Sequence, residues 1–331
     1  VIEIVALSEA MREAVALAER VAPTNANVLV TGESGSGKDA LASFIHSRSP
    51  RAAQSLVKID CATLPADLLE AELFGYERGA FTGATEAKPG RMEAAHRGTL
   101  VLDEIAHLSL DAQAKLLRVI EHREFERLGG RKTIAVDARL IALTNADLKN
   151  AVERRAFRDD LFYRLNVVHI IVPSLRERRK DIETLARSLV RTYAAKHGRV
   201  ARKLSREAQD LLLAYEFPGN VRELTNIIER AVIVCNTPDV EAADLPDTVR
   251  IAASQLARKD RRPTLAEIES DYIRETLSAT RGNKTEAAKI LGISRKNLYE
   301  RLAREVEVRG QRSEVSKDPS ASGSKNTADA D

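Results

Sequence analysis

Along the first half of the chain, short apolar runs alternate with segments whose apolar residues recur every three to four positions. Residues 8–21 (SEAMREAVALAERV) place Met11, Val15, Ala18 and Val21 on one helical face, with Ser8 positioned as its N-cap. Residues 27–30 (NVLV), 55–59 (SLVKI), 99–104 (TLVLDE) and 138–145 (ARLIALTN) read as buried strands, and 39–49 as the helix following the first of them. Short apolar strands separated by helices predict an α/β unit. Its mostly parallel sheet is covered on both faces, with ligand chemistry at the strands' C-terminal ends.

After VPSLRER (172–178) the pattern becomes wholly helical, with amphipathic segments near 181–197, 205–216 and 220–235. Pro218 and Gly219 break the last two apart. Residues 237–263 read as a linker, with mixed charge, Pro238, Pro246 and Pro263, and a basic KDRR at 259–262. Helical periodicity returns over 264–280 and in two shorter helices near 284–291 and 295–303. From Val308 to Asp331 large apolar residues almost vanish, which predicts a disordered tail. No internal repeat is visible.

With 331 residues, two or three folded units are expected, and 44% hydrophobic with 31% charged residues fits a globular protein. Cys61 and Cys235 lie in separate apolar contexts and read as two free thiols in a reducing compartment. His46, His96, His107, His122, His169 and His197 form no ligand-spaced cluster, so no zinc site is expected. No apolar run approaches the roughly 20 residues that span a bilayer, and no signal core opens the chain, so a cytoplasmic protein without a membrane partner is expected. The formal net charge of +3 is unevenly spread. Between Arg281 and Arg304, seven basic residues face Glu286 and Glu300, so that segment carries 7 − 2 = +5 and the remainder −2. A positive field concentrated at one end suits a phosphate-contacting module.

The strongest local signal is the run Gly32, Glu33, Ser34, Gly35, Ser36, Gly37, Lys38 between a strand and a helix. Glycines let successive N–H groups converge on phosphate oxygens, Lys38 supplies a point charge, and the helix adds its positive dipole end. Asp39 follows Lys38 where many such loops have a hydroxyl for magnesium. It must therefore reach the metal through water, point away, or serve the helix N-terminus. Asp103 and Glu104, adjacent acids ending a strand, read as the Mg2+ carboxylate and the group that polarises the attacking water. Thr144 and Asn145 end another strand and could report on the terminal phosphate. Arg158 and Arg164 lie in RRAFRDDLFYRLN, where arginines reaching a phosphate across a subunit boundary compete with plain solvated helix charge as the explanation. Arg222, in GNVREL, is a similar case.

At the C-terminal end, Ala287, Ala288 and Leu291 line one helical face, Gly292 turns the chain, Ile293 packs beneath, and Ser294 can cap the next helix. Leu298 and Leu302 then face inward. Arg295, Lys296, Asn297 and Tyr299 face outward, near the start of a helix suited to the major groove. Arg295 and Asn297 are the expected base readers, and Lys284, Lys296 and Arg301 the expected phosphate contacts.

One motif ties these parts together. Gly79, Ala80, Phe81, Thr82, Gly83 and Ala84, within ELFGYERGAFTGA, lie between the two nucleotide motifs, with Phe81 and Thr82 set between glycines. On these residues the chain resembles the bacterial enhancer-binding proteins, AAA+ ATPases that activate RNA polymerase carrying sigma-54. The resemblance covers roughly 5–236 for the motor and 264–303 for a Fis-type helix-turn-helix. It implies an AAA+ P-loop α/β subdomain (1–175), a helical lid (176–236), a linker (237–263), an all-α helix-turn-helix domain (264–305) and a disordered tail (306–331).

By the same resemblance, residues 79–84 engage sigma-54, Gly32–Asp39 bind ATP, Asn145 is sensor I, and Arg222 is sensor II. Arg158 and Arg164 are a neighbouring subunit's arginine fingers, and 124–132 form a second pore-side loop. Rings, typically hexamers, are implied, as are double-stranded enhancer DNA as a partner, dimerisation through 264–280 (Leu265, Ile268, Tyr272, Ile273, Thr276, Leu277), and a two-component regulatory setting. Phe217 stands where the family often has tryptophan. Asp60 stands where it usually has the asparagine that restrains the catalytic glutamate. Aspartate lacks the amide donor and would repel Glu104, so looser coupling between hydrolysis and loop position is expected. A DNA-remodelling ATPase is disfavoured by the 79–84 motif, and a repressor with a dead ATPase by the joint presence of Lys38, Asp103, Glu104, Arg158 and Arg164.

Overall fold

The computed structural model describes residues 4–201, 203–251, 269, 270, 272, 273, 275–277, 280, 283–299 and 301. The expected tail, residues 252–263 of the expected linker, Leu265, Ile268, Arg281, Glu300, Leu302 and Arg304 lie outside them, whereas Val240, Leu245 and Val249 of that linker are buried in the lid core. The chain divides into two compact units, Val1–Ala253 and Ser254–Asp331.

In the first unit, α1 (Glu9–Val21) buries Met11, Ala14, Ala18 and Val21. Ser8 stands at its N-cap, yet its side chain makes no cap bond; the hydroxyl donates to Asp181 Oδ2 at 3.0 Å instead. Next come β1 (Val28–Thr31), α2 (Lys38–Ser47), β2 (Leu56–Asp60) and α3 (Ala66–Phe74). A short β3 (Gly75–Tyr76) pairs antiparallel with β4 (Lys88–Pro89), followed by α4 (Arg91–Ala94), β5 (Thr99–Asp103) and α5 (Leu110–His122). The hairpin of β6 (Glu124–Glu126) and β7 (Thr133–Ala135) precedes β8 (Arg139–Thr144), α6 (Leu148–Glu153), α7 (Asp159–Leu165) and β9 (Val168–Ile171).

Five of these strands form a parallel sheet in the order β2-β5-β8-β1-β9. Alternation along the strands feeds two cores. Val28, Val30, Val101, Ile141 and Leu143 pack against α1 and α2. Leu29, Leu100, Leu102, Leu140 and Ala142 pack with Leu69 and Leu73 of α3, Leu116 of α5 and Leu161 of α7. A sheet buried on both faces is why its strands read as continuous apolar runs. Arg139, 2% exposed, donates to the carbonyls of Ala22 (2.7 Å) and Val21 (2.9 Å), satisfying the C-terminal end of α1 from the sheet.

The helical lid follows: α8 (Arg179–His197), β10 (Lys203–Leu204), α9 (Arg206–Ala214), α10 (Asn220–Val234) and β11 (Asp239–Val240). Their apolar faces form a separate core. Phe217, at the position where tryptophan is common in the family it resembles, sits fully buried in it, edge-on to Tyr215 at 5.0 Å between centroids. Both the parallel α/β sheet and the helical lid expected from the sequence are present.

In the second unit, α11 (Lys284–Ile290) starts at Asn283, whose side-chain Oδ1 accepts from Thr285 N (3.2 Å) and Glu286 N (3.3 Å). Gly292, at φ +65°, turns the chain into a second helix over 295–299, which Ser294 caps by accepting from Asn297 N at 3.2 Å. Ile273, Ala287, Ala288 and Leu298 are its core. Ile273 and Thr276 are buried and Leu277 packs on this core, so that face serves the unit's own interior. Among the described residues of the same segment, Tyr272 is the exposed large apolar one.

Candidate functional site

The phosphate-type loop leaves β1 and enters α2 at Lys38. Gly35 (φ +73°) and Gly37 (φ +106°) take left-handed backbone, which glycine adopts without steric cost. Lys38, 7% exposed, folds back onto the loop and donates to the carbonyls of Gly32 (2.8 Å) and Glu33 (3.2 Å). Burial pulls its pKa down, opposed by the charges of Glu104, Asp103 and Asp39. The Ser36 hydroxyl is buried without a partner. A cradle of curled backbone, a desolvated ammonium and an orphaned hydroxyl fit a polyphosphate such as that of ATP.

The acidic pair ends β5. Asp103 Oδ1 accepts from Glu104 N at 3.0 Å, and burial, then the nearby charge of Asp39, raises its pKa. Glu104 is held at φ +50°, an uncommon conformation for a non-glycine residue, and its Oε2 accepts from Asn145 N (3.2 Å) and Thr144 Oγ1 (3.4 Å). The sheet thus brings the ends of β5 and β8 together, uniting Asp103, Glu104, Thr144 and Asn145. Asp60 lies in register with Asp103 on β2, but its carboxylate accepts from Ala62 N at 2.9 Å.

Sequence reasoning overlooked Lys58. Its ammonium pairs with Asp39 and lies 3.5 Å from Asp103 Oδ2. Asp39 therefore turns toward β2. Among the described residues no three metal-ligating side chains cluster.

From the lid, Arg222 donates to Ser34 Oγ at 2.9 Å. Arg158 and Arg164 are exposed and paired elsewhere, with Asp160 at 2.7 Å and Glu121 at 3.0 Å. The sequence missed Arg176, Arg178 and Asn220. Arg176 ion-pairs with Glu33, Asn220 Nδ2 donates to Glu33 Oε2 at 3.0 Å, and buried Arg178 donates to the Ser36 carbonyl. They lie more than 140 positions from the loop, and no local pattern marks them.

Residues 79–84 form a turn between β3 and β4. Gly79 N donates to Ala84 O at 2.8 Å, closing its base. Gly79 (φ +83°) and Gly83 (φ +104°) have open space around them. Thr82 is exposed, Ala80 half-buried and Ala84 buried. Phe81, 41% exposed, rests edge-on against Tyr76 at 4.9 Å between centroids. The β6–β7 hairpin braces this turn: Glu77 N donates to Leu128 O at 2.9 Å, and Arg127 bridges Glu77 and Glu93.

In the second unit, Arg295, Lys296 and Tyr299 are exposed and Asn297 is half-buried. Arg301 donates to Asn297 Oδ1 at 2.9 Å and ion-pairs with Glu269, and the Lys284 ammonium lies 4.8 Å from the Tyr299 ring centroid. Among the described residues, Arg295 and Lys296 are the cations of the second helix that project without such a tie.

No helix among the described residues is long and apolar enough to cross a membrane. Residues 4–171 match the Sigma-54 interaction domain, 176–262 the AAA+ ATPase lid domain, and 264–304 the bacterial regulatory protein Fis family. Regulatory protein AtoC of Escherichia coli K12 is 44% identical over 291 residues, 86% of this chain and 63% of AtoC. Transcriptional regulatory protein FlbD of Caulobacter vibrioides is 44% identical over 309 residues, 88% of this chain and 68% of FlbD. The crystal structure of NtrX from Brucella abortus in complex with ATP is similar with a TM-score of 0.69 at 36% identity, covering 91% of this chain and 69% of that one. The chain thus spans about two thirds of these relatives. With its sigma-54 interaction, AAA+ lid and Fis-type segments in that order, the chain belongs to the NtrC-like bacterial enhancer-binding proteins, the sigma-54-dependent transcriptional activators.

Proposed function

We propose that this chain hydrolyses ATP to ADP and phosphate in a ring, a hexamer by family resemblance, and uses the cycle to convert the closed sigma-54 polymerase complex to the open one. The observation that carries this reading is the exposed Phe81 on its glycine-flanked turn, braced by the β6–β7 hairpin. An aromatic side chain left accessible between two unobstructed glycines suits a loop that extends toward a partner.

Gly32–Asp39 bind the nucleotide, with backbone N–H groups and Lys38 on the phosphates and Arg222 reaching in from the lid. Bound ATP supplies the phosphoanhydride to be cleaved, and Mg2+ neutralises its oxygens when present. Asp103 would hold the metal, directly or through water. Thr144 and Asn145 hold Glu104 by Oε2. That leaves Oε1 to accept the proton of the attacking water. Arg158 and Arg164, whose guanidinium groups pair away from their own loop, serve the neighbouring subunit's phosphates. The Fis-type module tethers the assembly to double-stranded enhancer DNA through Arg295, Lys296 and Asn297, with dimer contact through the exposed face that carries Tyr272.

Mixing subunits tests the shared site. Lys38→Ala and Arg164→Ala chains, each inactive alone, should regain part of the ATPase rate when combined. A mixture no faster than the sum of its components would contradict it.

A further inference from the structure

Four consecutive residues of the phosphate loop each bond to the lid. Glu33 receives Arg176 Nη1 (2.9 Å) and Nη2 on its two oxygens, and Asn220 Nδ2 at 3.0 Å. The Ser34 carbonyl accepts from the same Asn220 amide at 3.1 Å, and its hydroxyl from Arg222 at 2.9 Å. The Gly35 carbonyl accepts from Val221 N at 3.0 Å, and a Cβ on Gly35 would stand 2.4 Å from the Gly219 carbonyl oxygen. Ser36 O accepts from Arg178, a guanidinium 3% exposed.

Asn220 is the centre of this grip. It is 0% exposed, sits at φ +54°, and its Oδ1 accepts from Leu175 N at 2.7 Å. One side chain therefore joins the start of α10, the 175–178 turn and the phosphate loop. A buried amide with acceptor and donors all engaged fixes geometry, because any displacement strands a polar group. The Glu33 carboxyl is held below the usual carboxylate range by the Arg176 hydrogen bond first and the Asn220 hydrogen bond second. Every polar contact found for its side chain goes to the lid.

We propose that Glu33, Arg176 and Asn220 are positioning residues whose side chains lock the phosphate loop to the lid, so that the Glu33 carboxylate governs nucleotide affinity through the lid while the loop's backbone and Lys38 hold the phosphates. The inference rests on reading residues 32–38 as the phosphate loop. Its consequence is mechanical: loop and lid move as one body, and any shift of the bound phosphates is passed directly to α8 and α10.

The test is a charge exchange, read as binding of fluorescently labelled ADP to the full chain. Both Glu33 and Arg176 are half-exposed, so replacing either leaves the core intact. Arg176→Glu, which sets two carboxylates together, should weaken binding about fivefold. The Glu33→Arg, Arg176→Glu double variant should recover to within about twofold of wild type. Asn220→Asp, which keeps the acceptor for Leu175 N and loses the donor to Glu33, should weaken binding and speed proteolysis within 176–223. Wild-type affinity in Arg176→Glu, or a double variant no tighter than the single one, would overturn the proposal. Lys38→Ala is the separate control: if it binds labelled ADP as tightly as wild type, the phosphate-loop reading itself fails.

Discussion

Asn145 and Glu104 meet where β8 and β5 end, the Asn145 N–H donating to Glu104 Oε2 across 3.2 Å. The restraint on Glu104 thus comes from β8, while Asp60 on the other side of β5 spends its carboxylate on the Ala62 N–H. Asparagine at 60 would keep that acceptor and add a donor able to turn toward Glu104. Asp60→Asn is therefore expected to raise open complexes formed per ATP hydrolysed by about twofold, the scale of one weak hydrogen bond. ATPase rate and open-complex yield measured together check this, and identical values for both would refute the coupling role of Asp60.

Arg155 adopts φ +57° in the turn between α6 and α7. Left-handed backbone costs a non-glycine residue roughly 1–2 kcal/mol. Arg155→Gly should raise the thermal midpoint by about 2–4 °C, measured by calorimetry without nucleotide. A lowered midpoint would mean that the Arg155 side chain contributes more than its backbone costs.

Burial, aided by the charges of Asp60, Asp103 and Glu104, pushes the Cys61 thiol up to about 12. At pH 8 about one thiol in ten thousand is then ionised. Cys235 is buried as well. The native protein should show almost no reaction with a thiol reagent at pH 8 and two reactive thiols in denaturant. Raising the pH toward 10 should increase the native rate about tenfold per unit at Cys61, since thiolate is the nucleophile. Fast native labelling at pH 8 would contradict the burial of both.

In the DNA-binding unit, Arg301 and Lys284 are already engaged by Glu269 and Tyr299, whereas Arg295 and Lys296 project from the second helix. Arg295→Ala should cost about 1–3 kcal/mol at the specific site and little at random DNA. Lys296→Ala should weaken both and reduce the salt slope by about 1. Titrations at several salt concentrations distinguish them, and equal losses on specific and random DNA for Arg295→Ala would remove it as a base reader.

The three central strands, β5, β8 and β1, were legible because burial on both faces makes each a run such as VLVT or RLIALT, and the edge strand β2 by its LVKI run. β9 escaped because His169 interrupts its short run and its outer edge is unpaired; the ring meets Thr31 Oγ1 at 2.7 Å. Gly32–Lys38 and Asp103-Glu104 could be found locally, since each motif is continuous and ends a strand. Asn220 and Arg176 could not, because their significance lies in Glu33, over 140 residues away. Ser8 shows the same limit: a residue suited to a helix cap was claimed by a distant carboxylate, Asp181.

Phe81 bears the central claim that energy from the phosphate site reaches sigma-54 through the 79–84 turn. The direct measurement is ATP-dependent open-complex formation by purified sigma-54 polymerase on a supercoiled template, comparing wild type with Phe81→Ala. Because Phe81 touches Tyr76 and not the phosphate loop, the variant should hydrolyse ATP within about twofold of wild type and form open complexes at less than about a tenth of the wild-type level. Full open-complex formation by Phe81→Ala would contradict the account.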